Sequence, residues 1–443
     1  MGFVIPSSKN KLYLSGCDWI ISTLDYIMKS TTCAGNISQV VLILDSVVDR
    51  TEFQNRLGRF ISEFPVVYGR IVRDITICPY WRIPGKSEHS LNFTYYSCSN
   101  EEEMLALLGR CVNKPFKNES DHLAFHLINT GSQKSCLAMT FDHRLFDAGG
   151  AEFFIGLLQQ YLENDNSPAV SKGITLNASA HLSGWIRKFL SGRNVNRKVI
   201  ALSKNPPEML PISTGKNKFF KFRLISFDRQ TTDAVYDNAY KEAGYLMEMP
   251  YLLASVVQAV HAVFKNRGLS AGNYLSTVSI DMRTGADFKQ ELFLNHVSYL
   301  FFQILSGILE DKDKIIHSIK MQMYEQIKAG IPRDMMEASH LTRIAPMAFL
   351  KKIIDMPLNG KLATFIFSHL GKSPLSPEIM GAKIENVFQM PRVPAPPGLG
   401  FFSNHYNGRL NMVISYLDGL ISDDEAAVME HQIKQGLIKQ HNF

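Results

Sequence analysis

The sequence contains no apolar run approaching the ~18 residues that a membrane-crossing helix needs. Its opening, Met1 to Asn10, has neither the charged start nor the apolar centre of a secretory leader, so a cytoplasmic location is expected. Cysteine is sparse. Six residues among 443, with no CxxC pair and no regular spacing, argue against a disulfide framework or a zinc site and leave buried thiols as the expectation. No GxxxxGK phosphate loop occurs. Neither charge sign dominates: 47 Lys and Arg against 41 Asp and Glu give a net charge of +6, spread too diffusely for a nucleic-acid partner. That balance still suits an acidic partner, such as a phosphorylated cofactor or a carrier protein.

What is present is an ordinary globular composition, 45% hydrophobic and 20% charged, over a length that exceeds one small core. Apolar strand patterns alternate with amphipathic helix patterns. Gln39 to Val48 and Val66 to Val72 read as strands, with Glu52 to Glu63 as a helix between them. Glu101 to Asn113 is a further helix. Leu123 to Thr130 and Cys136 to Phe141 form a hairpin across Gly131 to Lys134, and Phe153 to Leu162 carries helical spacing. The pattern then weakens through Asn164-Asp165-Asn166-Ser167-Pro168 and Asn205-Pro206-Pro207, with Trp185 to Leu190 as a short helix within it.

Alternation resumes with the strand Phe219 to Phe227, a helix capped by Asp228, and the apolar helix Tyr251 to Lys265. Strands follow at Thr277 to Met282 and Asn295 to Leu305, helices at Lys314 to Ala329 and Met335 to Ile354, and a strand at Leu362 to Ser368. A hairpin closes across Asn407-Gly408, before a helix with Ser422 and Glu425 in capping-box spacing. The division read from this is an N-terminal lobe over 1–175, a crossover over 176–218 and a C-terminal lobe over 219–443. The fold class is α/β.

The stretch Asp142-His143-Arg144-Leu145-Phe146-Asp147-Ala148-Gly149-Gly150 places a histidine where a strand gives way to a turn. His143 is suited to taking a proton from a hydroxyl, amine or thiol nucleophile. Asp147 either orients that ring or points away and ties the loop down. In a dry site its carboxylate needs a cation; Arg283 is the first candidate, with Arg70 and Arg144 as alternatives. Gly149 and Gly150 allow close backbone approach at a helix start. One His and one Asp supply at most two metal ligands, so no metal is expected.

This block resembles the HHxxxDG or HxxxD motif of the superfamily containing chloramphenicol acetyltransferase, dihydrolipoyl acyltransferases, BAHD acyltransferases, wax ester synthases and peptide-synthetase condensation domains. Asp281-Met282-Arg283 with Leu294-Asn295 resembles the DxR and GN pair of the two-lobed members, and Ser368-His369-Leu370-Gly371 is similar to their SNxG segment. Phe64 to Ile71 is similar to an early segment of relatives, and the matches keep family order. Departures are Asp142 for the first histidine, Ala148 after the aspartate, Leu294 for the glycine of GN, and the lack of a DFGWG segment.

The resemblance implies two chloramphenicol-acetyltransferase-like lobes, each a mixed, mostly antiparallel sheet covered by helices, with a tunnel between them. It implies transfer of an acyl group from a thioester to a hydroxyl or amine acceptor, with His143 as general base and Asp147, Arg283, Gly149 and Gly150 as structural residues. Asn295, Ser298 and Ser368 become tunnel candidates. Acyl-CoA or a phosphopantetheine thioester would be the cosubstrate, with no permanently bound cofactor. A small-molecule acceptor is implied as partner, with or without an acyl or peptidyl carrier protein, and a monomer is expected. The alternatives are a condensation-type domain joining carrier-tethered substrates and an inactive binding or scaffold relative.

Overall fold

The computed structural model describes residues 10–85, 91–131, 133–163, 184–212, 215, 218–269, 272–283, 291–355, 360–361 and 363–438. The strands are β1 (Lys11–Tyr13), β2 (Ile37–Leu44), β3 (Arg70–Arg73), β4 (Pro79–Arg82), β5 (Phe93–Cys98), β6 (Leu123–Thr130), β7 (Ser135–Asp142), β8 (Phe220–Ser226), β9 (Tyr274–Asp281), β10 (Val297–Ile304), β11 (Phe365–Lys372), β12 (Glu378–Ile379), β13 (Ala382–Gln389), β14 (Leu399–Tyr406) and β15 (Arg409–Leu417). The helices are α1 (Gly16–Thr31), α2 (Arg50–Ser62), α3 (Glu101–Val112), α4 (Ala148–Glu163), α5 (Trp185–Ser203), α6 (Arg229–Glu242), α7 (Glu248–Asn266), α8 (Lys312–Lys328), α9 (Ile331–Ser339), α10 (Met347–Asp355) and α11 (Asp423–Leu437).

Two six-stranded sheets make the frame, in the orders β12-β13-β2-β7-β6-β5 and β10-β9-β11-β14-β15-β8. Both are mixed. In the first only β5 and β6 run parallel; in the second β11 is parallel to both β9 and β14. The central strands β2 and β7 are buried almost throughout, which is why they read as unbroken apolar runs instead of alternating ones. Phe60, Phe154 and Leu158 from α2 and α4 pack on one face of the first sheet. Helix α7 is buried along most of its length against the second sheet, with α11 beside it.

The two sheets do not divide at one point in the sequence. Segment β12–β13, from the C-terminal half, completes the first sheet by pairing antiparallel with β2. Amides then join β13 to the second sheet. Asn386 Nδ2 donates to Asn411 Oδ1 at 3.0 Å, Asn411 Nδ2 returns the bond at 2.8 Å, and Asn404 Nδ2 donates to Val387 O at 2.8 Å.

Several sequence expectations need correction. Val66 to Val72 is not one strand, because Pro65 opens a 3-10 turn through Tyr68 and only Arg70–Arg73 is extended. Met335 to Ile354 is two helices, broken at the turn before Pro346, where a residue preceding proline is disfavoured in helix. The short helix at Trp185 runs on to Ser203. The sequence pattern gives no strand between 372 and 399, where β12 and β13 lie. The polar stretch Asn164 to Pro168 and the boundary at 175 fall outside the described residues.

Asn411 is fully buried and its amide serves both Asn386 and the Val387 carbonyl. Asn411→Ala removes both amide bonds to Asn386 and one of the two donors to Val387 O, so denaturant unfolding should show a loss of about 1–3 kcal/mol. An unchanged midpoint would mean that the amide pair does not brace the sheets.

Candidate active site

Strand β7 ends at Asp142 because the chain there is tied from three sides. Asp142 accepts from Arg144 Nε and Nη2 and from His122 Nδ1 at 3.0 Å. Burial alone would raise its carboxyl, but the Arg144 guanidinium and His122 hold it far below the ordinary carboxylate range. The residue standing where a first histidine would be in the longer motif is therefore a buried structural carboxylate, and Arg144 is committed to it.

The next residue, His143, continues the register. Its N–H donates to Asn36 O at 2.9 Å. Its ring Nδ1 lies 3.0 Å from Asn295 Oδ1, and Asn295 Nδ2 donates to His143 O at 3.0 Å and to Asp18 Oδ1 at 3.2 Å. Asp18 Oδ1 also accepts from Asn295 N at 2.8 Å. These bonds decide the amide orientation, since a flipped Asn295 would set its oxygen against a carboxylate and a carbonyl. With Oδ1 turned to the ring, Nδ1 must carry the proton. In the neutral ring, Nε2 is then the nitrogen free to accept.

Asp18 carries no sequence signal that joins it to this site. It sits at the third position of α1, where its Oδ2 takes Ser15 N at 2.8 Å and Ser15 Oγ at 2.6 Å in a capping box. The spelling Ser15-x-x-Asp18 was a visible signal for the cap. Nothing local showed that its second oxygen reaches Asn295.

Asp147 points away from the His143 ring contacts. Its Oδ1 accepts from Arg283 Nη2 at 2.8 Å and from Gly150 N at 2.8 Å, and its Oδ2 accepts from His296 N at 2.8 Å. Both side chains of the pair are 1% exposed. Burial would raise the Asp147 carboxyl, yet Arg283, His296 and the Gly150 amide together hold it below the usual range. Arg283 also donates through Nη1 to Asp281 at 3.2 Å and through Nε to Glu291 O at 3.1 Å. The glycines have a steric reason. A Cβ on Gly150 would stand 2.5 Å from Leu292 O, and one on Gly149 would stand 3.3 Å from Arg283 Nη1.

The loop from the second half is held to this turn by Leu294 N donating to Leu145 O at 2.8 Å. Leu294, which replaces the glycine of GN, adopts φ +72°, the left-handed region in which glycine is favoured.

Between the sheets lies a cavity of about 1160 Å3. His143, Asp147 and Gly149 line it from the first half; Ser279, Asp281, Arg283 and Ser368 line it from the second, and α5 contributes Gly192, Val195 and Val199. Ser368 Oγ is 2.8 Å from Ser279 Oγ. Two of the tunnel candidates are elsewhere. Asn295 is buried behind His143, and Ser298 donates to Pro332 O at 2.7 Å from the interior. His369 also lines the cavity; burial, then the neighbouring His405, push it down to about 4, so it stays neutral. A separate cavity of about 490 Å3, beside Tyr96 and His126, does not include His143. Among the described residues, no group of three or more His, Cys, Asp or Glu could hold a metal ion, and no helix is long and apolar enough to cross a membrane.

No protein-family model matches the sequence, and comparison with curated proteins finds no match. Solved structures do match. A trichothecene 15-O-acetyltransferase from Fusarium sporotrichioides superposes with a TM-score of 0.70 at 12% identity, covering 98% of this chain and 97% of that one. The first condensation domain of the calcium-dependent antibiotic synthetase, bound to a substrate analogue, gives 0.68 at 13% identity, covering 98% and 96%. The starter condensation domain of rhizomide synthetase, a mutant bound to C8-CoA and Leu-SNAC, gives 0.63 at 11%, covering 97% and 94%. The chain has the acyltransferase and condensation-domain fold. Its two mixed sheets, helical cover and intervening cavity are those the motif resemblance implied.

Breaking the Asp147–Arg283 pair should be costly. Arg283→Ala leaves a buried carboxylate without its cation, and the expected loss in unfolding free energy is about 3–5 kcal/mol; equal stability would remove the pair from the account. The pH dependence has a definite sign. Because folding lowers the Asp147 carboxyl, its contribution is complete above the unfolded value of about 4 and is lost as pH falls through the folded value. Denaturation of Asp147→Asn should therefore show less loss of stability than wild type between about pH 7 and about pH 3.

Proposed function

We propose that the protein transfers an acyl group from a thioester to a hydroxyl or amine acceptor, with His143 as the general base. The observation that carries this reading is the contact of Asn295 Oδ1, its amide held by Asp18, with His143 Nδ1: the amide oxygen accepts a hydrogen bond from Nδ1–H, which leaves Nε2 free to accept. The acceptor O–H or N–H gives its proton to Nε2 while its oxygen or nitrogen attacks the thioester carbonyl carbon. The resulting tetrahedral centre collapses with cleavage of the C–S bond, and the sulfur leaves with the proton returned from the imidazolium. No covalent acyl-enzyme is needed. Asp147 and Arg283 keep the loop in place without touching the reacting atoms.

The fold supports this class of chemistry, since the similar structures are an acetyltransferase and condensation domains. The thioester is carried by coenzyme A or by the phosphopantetheine arm of a carrier protein. A condensation-type reaction on tethered substrates uses the same proton transfer. The lining, in which Val, Ile, Leu, Met and Phe are joined by alanines and prolines, suits a largely apolar acceptor and acyl chain.

Purified protein incubated with a mixed acyl-CoA pool and a panel of alcohols and amines should form ester or amide detectable by mass spectrometry. His143→Ala should lower kcat by about 10²–10⁴-fold with little change in melting temperature. Asn295→Ala should also lower kcat more than it raises KM, since it frees the ring to take the other tautomer. Product formation that survives His143→Ala unchanged would overturn the reading.

A further inference from the structure

The cavity wall carries a polar group of residues that proton transfer does not use. Glu152 on α4, Gln389 at the end of β13 and Ser38 on β2 all line it and are 4%, 5% and 2% exposed. Gln389 Nε2 donates to Glu152 Oε1 at 2.9 Å. The Ser38 hydroxyl is buried and has no hydrogen-bond partner among the described residues.

Sheet register brings these residues beside His143. Ser38 pairs with Phe141, and Gln389 pairs with Val40, so all share a face with alternate residues of β2 and β7. His143, two residues beyond Phe141, is the diagonal neighbour of Ser38, at a backbone separation of about 7–8 Å. Ser38 is likewise diagonal to Gln389, and Glu152 reaches Gln389 from the helix above. A small organic molecule spans that distance.

Glu152 has no cation acting on it among the described residues; burial raises its carboxyl, and the Ser373 hydroxyl and the Gln389 amide beside it offset only part of that. Lack of a counter-charge favours the protonated carboxyl, and in that form Glu152 is a hydrogen-bond donor. Ser38 can donate or accept. Such a group matches an uncharged oxygen, a hydroxyl or a carbonyl, and not an ammonium.

Resting on the acyl-transfer reading, we propose that Glu152, Gln389 and Ser38 form a second subsite that binds a neutral oxygen function of the acceptor, remote from the atom acylated. The acceptor is then an apolar, uncharged molecule with at least two oxygen functions. Glu152 is a specificity-determining residue.

Calorimetric titration with a matched set of a decalin monoalcohol, a decalin diol and a decalin amino alcohol tests this without requiring turnover. Wild type should bind the diol about tenfold more tightly than the monoalcohol, the equivalent of one well-made hydrogen bond. Glu152→Gln, which still donates, should keep most of that preference, whereas Glu152→Leu should erase it. Ser38→Ala removes one oxygen from the wall with little risk to folding and should weaken the preference. The proposal is overturned if wild type binds monoalcohol and diol equally, as a purely bracing Glu152–Gln389 pair would allow. It is also overturned if the preference persists in both Glu152→Leu and Ser38→Ala, or if the amino alcohol binds best and Glu152→Gln abolishes that. Diol preference with no acyl transfer to any acceptor would sink the function reading and leave the subsite standing; transfer without diol preference would do the reverse.

Discussion

The Asp147 carboxylate holds the centre of this molecule together. It is buried, and a buried carboxylate is tolerated only when its charge and lone pairs are answered. Arg283 supplies the charge from a position 136 residues further along the chain. The Gly150 amide closes the start of α4, and the His296 amide draws in the loop before β10. One side chain thereby fixes the turn after β7, the first turn of a helix and two segments of the second half. The glycines follow from this closeness, since any Cβ at Gly150 would meet the Leu292 carbonyl. Remove the ion pair and the two halves lose their common anchor at the cavity wall.

Once the turn is held, the histidine can be oriented by something other than a carboxylate. Asn295 fills that role, and an amide differs from an acid in consequence. It fixes the tautomer without placing a formal charge against the ring. The charge is one step removed, on Asp18, which is already spent capping α1 through its other oxygen. Helix capping and the geometry of the candidate site thus share one carboxylate. Leu294 in a left-handed conformation shows that the turn presenting Asn295 is demanded by its surroundings and not by the local residue, because such a backbone costs a leucine what it would not cost a glycine.

How much of this could be read from the chain depends on distance along it. His143, Asp147 and the glycines sit within one short stretch where a strand pattern meets a helix pattern, so local chemistry exposed them. Arg283 could be named because a buried carboxylate required a cation and DxR lay in the expected order. Asp18 could not, since its contact with Asn295 spans 277 residues and its local role as a cap already explained it. Ser298 was a candidate only through the resemblance of its segment, and strand alternation turns it away: Val297 and Tyr299 line the cavity, whereas its own hydroxyl donates to Pro332 O. Strand β13 escaped notice because a register shift between Ile384 and Asn386 breaks the alternation that marks a strand, and because its partner β2 lies in the other half. The polar group around Glu152 was hidden for the same reason, since Gln389 arrives on that strand.

The account turns on which nitrogen of one imidazole carries the proton. Nitrogen-15 NMR of histidine-labelled protein near neutral pH, with His143 assigned through the His143→Ala variant, reads this directly. The geometry predicts a protonated Nδ1 and an unprotonated Nε2 in wild type, with the two forms mixing when Asn295 becomes alanine. A wild-type His143 protonated on Nε2, or a tautomer indifferent to Asn295, would contradict it.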